Sequence, residues 1–418
     1  MRTLTFYLKQ HTPMIHFQAS QQGATLRASD VKPRFDRWLI QKVFKSQFEE
    51  CKKYLVGYPG DSNLNEKFKT GFRSLNYKMK ITEIQQGKTG TTHICNNKGK
   101  EILDYPMYFG EKMGTVIKDC EVSFLIPDSS DCIYENICKY FSEFINSHNF
   151  GTRSSKGYGS YSISSSNDSN AELNTFPAFS INLIGKNWKS IEKQIELFHK
   201  TIRSGINYTQ PILDKETKKP LKDEKGNDRK TGYYFKSMLY SFIENKRHWD
   251  KKIIKNHFLK NKKKEKEEIT IKQDYRDCLG LSTNESWMKY NMSISKKIKD
   301  IDRYASPIIF KPAWIENDNW KVYIILNDIP EKYKNKKVTI SAKKLKKERN
   351  TDKLIDNFEK MPLEMTISND FSIKEYFKFL CSTEVSKKNF NIYETTPKQN
   401  GEIESIINFY NQLRNASK

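Results

Sequence analysis

Residues 129–148, SSDCIYENICKYFSEFINSH, set Ile133, Ile137, Tyr140, Phe141 and Phe144 at helical spacing, and they run straight into NFGTRSSKGYGSYSI, residues 149–163. The order is an amphipathic helix, then a loop holding Gly151, Gly157 and Gly159, then a strand from YGSYSIS. That order constrains the fold more than any other feature of the chain. A dinucleotide-binding fingerprint needs a strand before its glycines and a helix after them, the reverse of what stands here. A phosphate-binding P-loop needs GK[ST] after four spacer residues, which is absent. What remains is a helix-to-strand connection whose glycines let a ligand or a neighbouring strand approach the backbone closely. Arg153 and Lys156 within it suit phosphate, and free amides can point at oxygens. A surface loop whose glycines simply turn the chain is the competing reading.

The elements around this loop follow from pattern. TLTFYLKQ (3–10) alternates as a strand and HTP ends it. In SDVKPRFDRWLIQKVFKSQFEE, Ser29 or Asp30 is expected to cap a helix, with Pro33 tolerated in its first turn. Phe35, Trp38, Leu39, Val43 and Phe44 give that helix its apolar stripe, while Arg27, Lys32, Arg34, Arg37 and Lys42 surround it with positive charge. Residues 51–118 suggest strands and long loops, and DCEVSFLIP (119–127) is a further strand. The first 165 residues therefore suit an α+β domain with helices on one face of an antiparallel sheet. A second unit is expected to begin near 176 with the strand FPAFSINLI and the helix NWKSIEKQIELFHKTIRS. Residues 207–232 read as an exposed excursion, and basic helical sequence continues to 268. SPIIFKPAWIENDNWKVYIILND reads as a hairpin supplying the sheet of the second domain, and ESIINFYNQL as a closing helix. Both halves begin strand then helix, a hint of duplication.

Charge narrows the partner. Lysine and arginine outnumber the acids 73 to 50, a net +23, which asks for a polyanion. No stretch approaches the roughly 20 apolar residues of a membrane-spanning helix. The opening residues lack the continuous apolar core of a signal peptide. Seven cysteines with no CxxC pair suit a reduced, cytoplasmic setting without structural zinc. The basic runs at 246–266 and 332–349 are poor in aromatics and fit backbone contacts or solubilising surface. Seven histidines show no HExxH or HxH spacing, and no GxSxG occurs. His148, just ahead of the loop, could serve as a general base on a ribose hydroxyl, although a helix-terminal histidine also suits the helix dipole. No catalytic residue, metal ligand or cofactor site is assigned.

Three segments, in order, resemble CRISPR-associated RAMP proteins. LKQHTPMIHFQASQQGATLRASDVKPRFDRWLI (8–40) resembles their opening strand, Thr-Pro, polar excursion and basic helix. FINSHNFGTRSSKGYGSYSI (144–163) resembles their signature loop. RDCLGL (276–281) with DRYASPIIFKP (302–312) is similar to the second half of one branch, the first RAMP subunit of the type III-B Cmr complex. Residues 51–118 and 205–268 stay outside the resemblance, Pro33 stands where a glycine is common, and TPMIHFQ carries a histidine and an aromatic where small residues are common.

The resemblance implies an α+β fold of tandem ferredoxin-like, RRM-related RAMP domains with basic helical and loop insertions. Its domains would be residues 1–170, with the glycine-rich loop, and residues 171–418, with a basic helical insertion around 205–300. It implies a non-catalytic subunit binding guide RNA (crRNA) toward its 3′ end, with crRNA, target RNA and other RAMP subunits as partners, in the cytoplasm and away from membranes. The RNA-binding residues it implies, together with the basic patterning, are Arg27, Lys32, Arg34, Arg37, Gly151, Arg153, Ser154, Ser155, Lys156, Gly157, Tyr158, Gly159, Arg303 and Lys311. The alternative is a metal-independent endoribonuclease like the guide-processing RAMP enzymes, with His16 or His148 as base beside Tyr158 and Lys156.

Overall fold

A computed structural model describes residues 1–15, 26–84, 93–95, 101–103, 119–164, 179–217, 219–243, 249–259, 272–281, 283–287, 290–348, 351–355 and 361–416. The chain packs as two units, residues 1–193 with 310–325, and residues 194–309 with 326–418.

In the first unit, β1 (Arg2–Gln10) lies between β3 (Cys120–Ile126) and β4 (Tyr161–Ile163), and β2 (Lys78–Glu83) flanks β3. The helices α1 (Ala28–Phe44) and α2 (Asp131–Ser147) follow β1 and β3. These six elements follow one another as βαββαβ, with the short helices Phe48–Cys51 and Leu64–Lys69 and the strand pair His93–Cys95 and Glu101–Leu103 interposed, and the sheet order is β2–β3–β1–β4, antiparallel throughout. Period-two alternation produces this sheet. Cys120, Val122, Phe124 and Ile126 all point inward along β3, and Leu8 of β1 sits opposite both Cys120 and Ile163. The two helices bury Val31, Phe35, Leu39 and Ile40 from α1 and Ile133, Ile137, Phe141 and Phe144 from α2. Edge-to-face rings lock the layers together: Phe141 lies 5.2 Å from Phe35 and 4.9 Å from Phe124 between ring centroids.

Two sequence expectations change here. The N-cap of α1 is Arg27, with no side-chain capping bond, and its carbonyl already accepts from Asp30 and Val31. Ser29 and Asp30 therefore lie inside the first turn and cannot cap it. The second change concerns the hairpin Ile308–Glu316 and Asn319–Leu326, expected in the second domain. It pairs with β5 (Phe179–Ile184), with Ile181 opposite Val322 and Leu183 opposite Trp320, all four buried. Residues 310–325 belong to the first unit for that reason, and the division between the compact units falls inside α3 (Trp188–Arg203).

The second unit holds a three-stranded sheet of Ile206–Asn207, Tyr233–Phe235 and Phe390–Ile392. A larger sheet runs Gln273–Asp274, Leu363–Ile367, Lys337–Glu348, Met292–Ile298 and Asn284–Trp287, with Thr351–Ile355 beside Lys337–Glu348. Its single parallel pairing joins the first two strands. The basic run 332–349 is thus largely a central strand, because Val338 and Ile340 alternate inward between its lysines. Within the exposed excursion at 207–232, Gln210–Pro211 and Lys230–Thr231 form a short antiparallel ladder. Helices Ile373–Ser382 and Pro397–Ala416 add Tyr376, Phe377, Leu380, Phe409 and Tyr410 to the core. The architecture is mixed α and β with mostly antiparallel sheets. Among the described residues no helix is long and apolar enough to cross a membrane.

Candidate nucleic-acid interface

The glycine-rich loop is built against the Thr-Pro segment that follows β1. Thr152 N–H donates to Ile15 O at 2.8 Å, and Gly159 N–H donates to Pro13 O at 2.9 Å. Thr12 Oγ1 donates to Gly157 O at 2.6 Å and accepts from Ser160 N–H at 2.9 Å. Asn149 Nδ2 donates to Ser154 O and Phe310 O, each at 2.7 Å. Two segments remote in sequence, both quoted above for the family resemblance, therefore form one hydrogen-bonded unit.

The glycines serve that unit. Gly151, Gly157 and Gly159 have φ of +79°, +95° and +65°. A Cβ on Gly159 would stand 1.9 Å from Phe150 O, and one on Gly151 would stand 2.6 Å from Ile15 O. On Gly157 it would meet Pro312 and Trp188, each at 2.9 Å. The close approach these glycines permit is to the protein's own chain. Gly157, Tyr158 and Gly159, expected among the RNA contacts, are buried. Tyr158 packs edge-to-face on Trp188 at 5.2 Å. Burial, with Glu192 beside it, raises its hydroxyl well above the usual tyrosine value.

The expected basic residues divide into braces and surface. Lys32 donates to buried Asp36 at 2.6 Å and to Leu75 O at 2.9 Å. Tyr77 also donates to Asp36, so this carboxylate pins α1 to residues 74–77. Lys311 is buried and donates to His148 O at 2.9 Å and Tyr161 O at 2.7 Å, with burial lowering its pKa to about 7. Both lysines, expected to meet phosphate, are engaged within the protein, Lys311 buried and Lys32 part-buried. Arg34 donates to Asn149 O at 3.0 Å, joining α1 to the loop, and burial lowers its pKa. Arg153 sits in the left-handed region at φ 57°, 3.6 Å from Glu192, with its guanidinium over the Tyr158 ring. Ser154, Ser155 and Lys156 make a half-buried 3₁₀ turn, Gly151 is exposed beside it, and Arg27 is half-buried. Arg37 is exposed on α1. Arg303 is exposed in the second unit.

Of the two histidines offered as bases, His16 lies outside the described residues. His148 turns Nδ1 to Phe144 O at 2.9 Å and lies on the Phe144 ring. Burial lowers its pKa to about 4. His11, not singled out by its sequence, accepts from Trp314 N–H on Nδ1 and bonds Ser162 Oγ through Nε2. Burial, then Lys311 and Lys9, lowers it to about 3. An unfolded histidine titrates near 6.5, so these two give stability that is complete above pH 6.5 and lost as pH falls through about 4 and 3. His148→Gln should flatten urea-unfolding stability between pH 6.5 and 4 by roughly 2 kcal/mol relative to the parent. Parallel pH profiles would refute this.

The sequence reading missed a charge cluster in the second unit. Arg276 donates to Asp250 at 2.6 Å and to Glu285 at 3.1 Å. Lys296 donates to Asp274 at 2.8 Å and Asp277 at 2.6 Å, and Arg203 to Asp277 at 3.2 Å. Arg276, Lys296, Asp250, Asp274 and Asp277 are all within 1% of fully buried. Burial, then neighbouring Asp274, raises Asp277. Burial also tends to raise Glu285, but Arg276 and Lys296 outweigh it and hold its pKa at about 2. The signal in sequence was RDCLGL itself, whose adjacent Arg276 and Asp277 open the motif.

Family models match both parts of the chain, the Cmr1 N-terminal domain over residues 1–206 and the Cmr1 C-terminal domain over residues 234–408. These matches mark a RAMP-class subunit of a type III-B Cmr complex. The chain belongs to the Cmr1 family. Among curated proteins none matches. Among solved structures, Cmr1 from Pyrococcus furiosus in its apo form matches 86% of this chain and 95% of that one at 10% identity. The TM-score of 0.32 is too low for that likeness to support any argument.

Proposed function

We propose that this chain is a non-catalytic subunit that binds guide RNA toward its 3′ end within a cytoplasmic type III-B effector, beside other RAMP subunits, and contributes to target-RNA binding. Membership of the Cmr1 family across both units is the observation that carries this reading. The net charge of +23 and exposed Arg37 supply the phosphate-facing chemistry. In the same reading, the βαββαβ sheet of the first unit is a ferredoxin-like RAMP domain with a related domain after it. The endoribonuclease alternative is weakened at His148. A ring with a pKa of about 4 is a poor proton acceptor, and its prospective partner Tyr158 is buried.

The test is single-stranded RNA binding by the purified chain across a salt series. Affinity should fall with a log–log slope of about −0.7 per phosphate neutralised, with little sequence preference. Arg37→Ala should make the slope shallower by about 0.7 while leaving thermal stability unchanged. A flat salt response, or equal affinity for duplex DNA, counts against the reading. Metal-independent cleavage of repeat RNA that vanishes in His148→Ala would replace it with the alternative.

A further inference from the structure

The two second-half motifs, RDCLGL and DRYA, are separated by twenty residues and meet in the second unit. Leu281 N–H donates to Tyr304 O at 2.9 Å. Gly280, at φ +111°, lets the segments close, since a Cβ there would stand 3.1 Å from Ser306 N. Between them lies a pocket of about 380 Å³ lined by Leu281, Thr283, Asn284, Arg303, Tyr304 and Ala305. That volume falls in the range of small-ligand sites, about 300–1,000 Å³.

The pocket stands on the buried charge cluster. Tyr304 stacks on Tyr333 at 4.1 Å between centroids, and Tyr333 donates its hydroxyl to Asp277 O at 3.1 Å. Arg203 donates to Gly280 O at 2.9 Å, fixing the other wall. Motif residues Arg276 and Asp277 are thus buried in the charge cluster, while Leu281, Arg303 and Tyr304 line the cavity.

Arg303 is set apart from the other arginines described in this unit. Arg203, Arg229, Arg276 and Arg414 each pair with a carboxylate. Arg303 is exposed and makes no ion pair among the described residues, its neighbour Asp302 included. A mainly apolar wall with one aromatic, rimmed by a guanidinium that has no ion pair among the described residues, is the chemistry that holds a nucleotide: the base against the wall and the phosphate on the cation.

We propose that this pocket takes one nucleotide of a single-stranded RNA, with its base against Leu281 and Tyr304 and its phosphate on Arg303. The proposal rests on the RNA-binding reading above and adds a site for it in the second unit. The surface that the cavity exposes is more apolar than polar, so the nucleotide is held with weak base preference.

Labelled oligo-U and oligo-A are titrated against the full chain, Arg303→Ala and Ala305→Trp, and oligomers containing 4-thiouridine are cross-linked and mapped. Both substituted positions are exposed, and thermal melts confirm that the variants fold. Arg303→Ala should weaken binding about tenfold or more and make the salt slope shallower by about 0.7. Ala305→Trp, which fills the cavity, should abolish cross-links at Tyr304 and Leu281. If the parent binds RNA while both variants match it and cross-links fall elsewhere, the pocket proposal is overturned and the RNA-binding reading survives. If the parent binds neither oligomer, the RNA-binding reading fails and this proposal falls with it.

Discussion

Gly159→Ala should unfold much of the first unit at temperatures where the parent is stable, and should do so more than any other glycine substitution in the loop. The added Cβ would lie 1.9 Å from Phe150 O, at a φ of +65°. That oxygen cannot swing away, because Phe150 N–H is itself bonded to Gly159 O and Gly159 N–H to Pro13 O. Relief requires breaking one of these bonds or shifting the Thr-Pro segment, at a cost of several kcal/mol, beyond the roughly 1–2 kcal/mol of backbone strain alone. Gly226 is the control: its φ is +77°, yet nothing lies within 4 Å of its Cβ position. Gly226→Ala should therefore cost only the strain. Gly151→Ala and Gly157→Ala belong between the two. Urea denaturation of the four variants gives the order directly. Equal losses at Gly159 and Gly226 would mean that the loop adapts and that its packing is not what demands glycine.

The second large effect is expected at Lys296→Met. Four carboxylates, on Asp250, Asp274, Asp277 and Glu285, share three cations, on Arg203, Arg276 and Lys296. Lys296 bridges Asp274 and Asp277 with no solvent access. Removing it leaves two facing carboxylates buried, which costs about 3–5 kcal/mol. Adding Asp277→Asn to Lys296→Met should restore part of that loss, since it removes one buried negative charge. The double variant also separates charge from packing: if it is no more stable than Lys296→Met, the loss came from the missing side-chain volume. Chemical denaturation at pH 7 is the measurement, and a cost of Lys296→Met under 1 kcal/mol would show that the cluster adds little.

Much of the first unit was legible because its signals are local. The stripe of Ile133, Ile137, Phe141 and Phe144 and the alternation along Cys120–Ile126 each answer to one burial direction, and both elements form where their patterns stand. The start of α1 was not legible at residue level, since Ser29 and Asp30 are both good caps and the chain turns helical before either. The hairpin at 308–326 was recognisable as a hairpin, but its partner strand was not. Any strand with alternating apolar residues could have matched Val322 and Ile324, and β5 was chosen by three-dimensional packing.

The candidate interface divides along the same line. Residue type alone marked Arg153, Lys156 and the glycines as a loop that phosphate could meet. Sequence by itself determined that the chain is basic, that a helix runs into a glycine-rich turn and a strand, and that its motifs are those of a RAMP protein. Only tertiary structure decided which cations are committed inside. Lys32 lies beside buried Asp36, Lys311 lies between two carbonyls, and Lys296 lies between two aspartates, whereas Arg37 and Arg303 face solvent. The physical reason is desolvation. A lysine written in a sequence has the same charge wherever it falls, but whether water or a carboxylate compensates that charge depends on groups that can lie more than a hundred residues away.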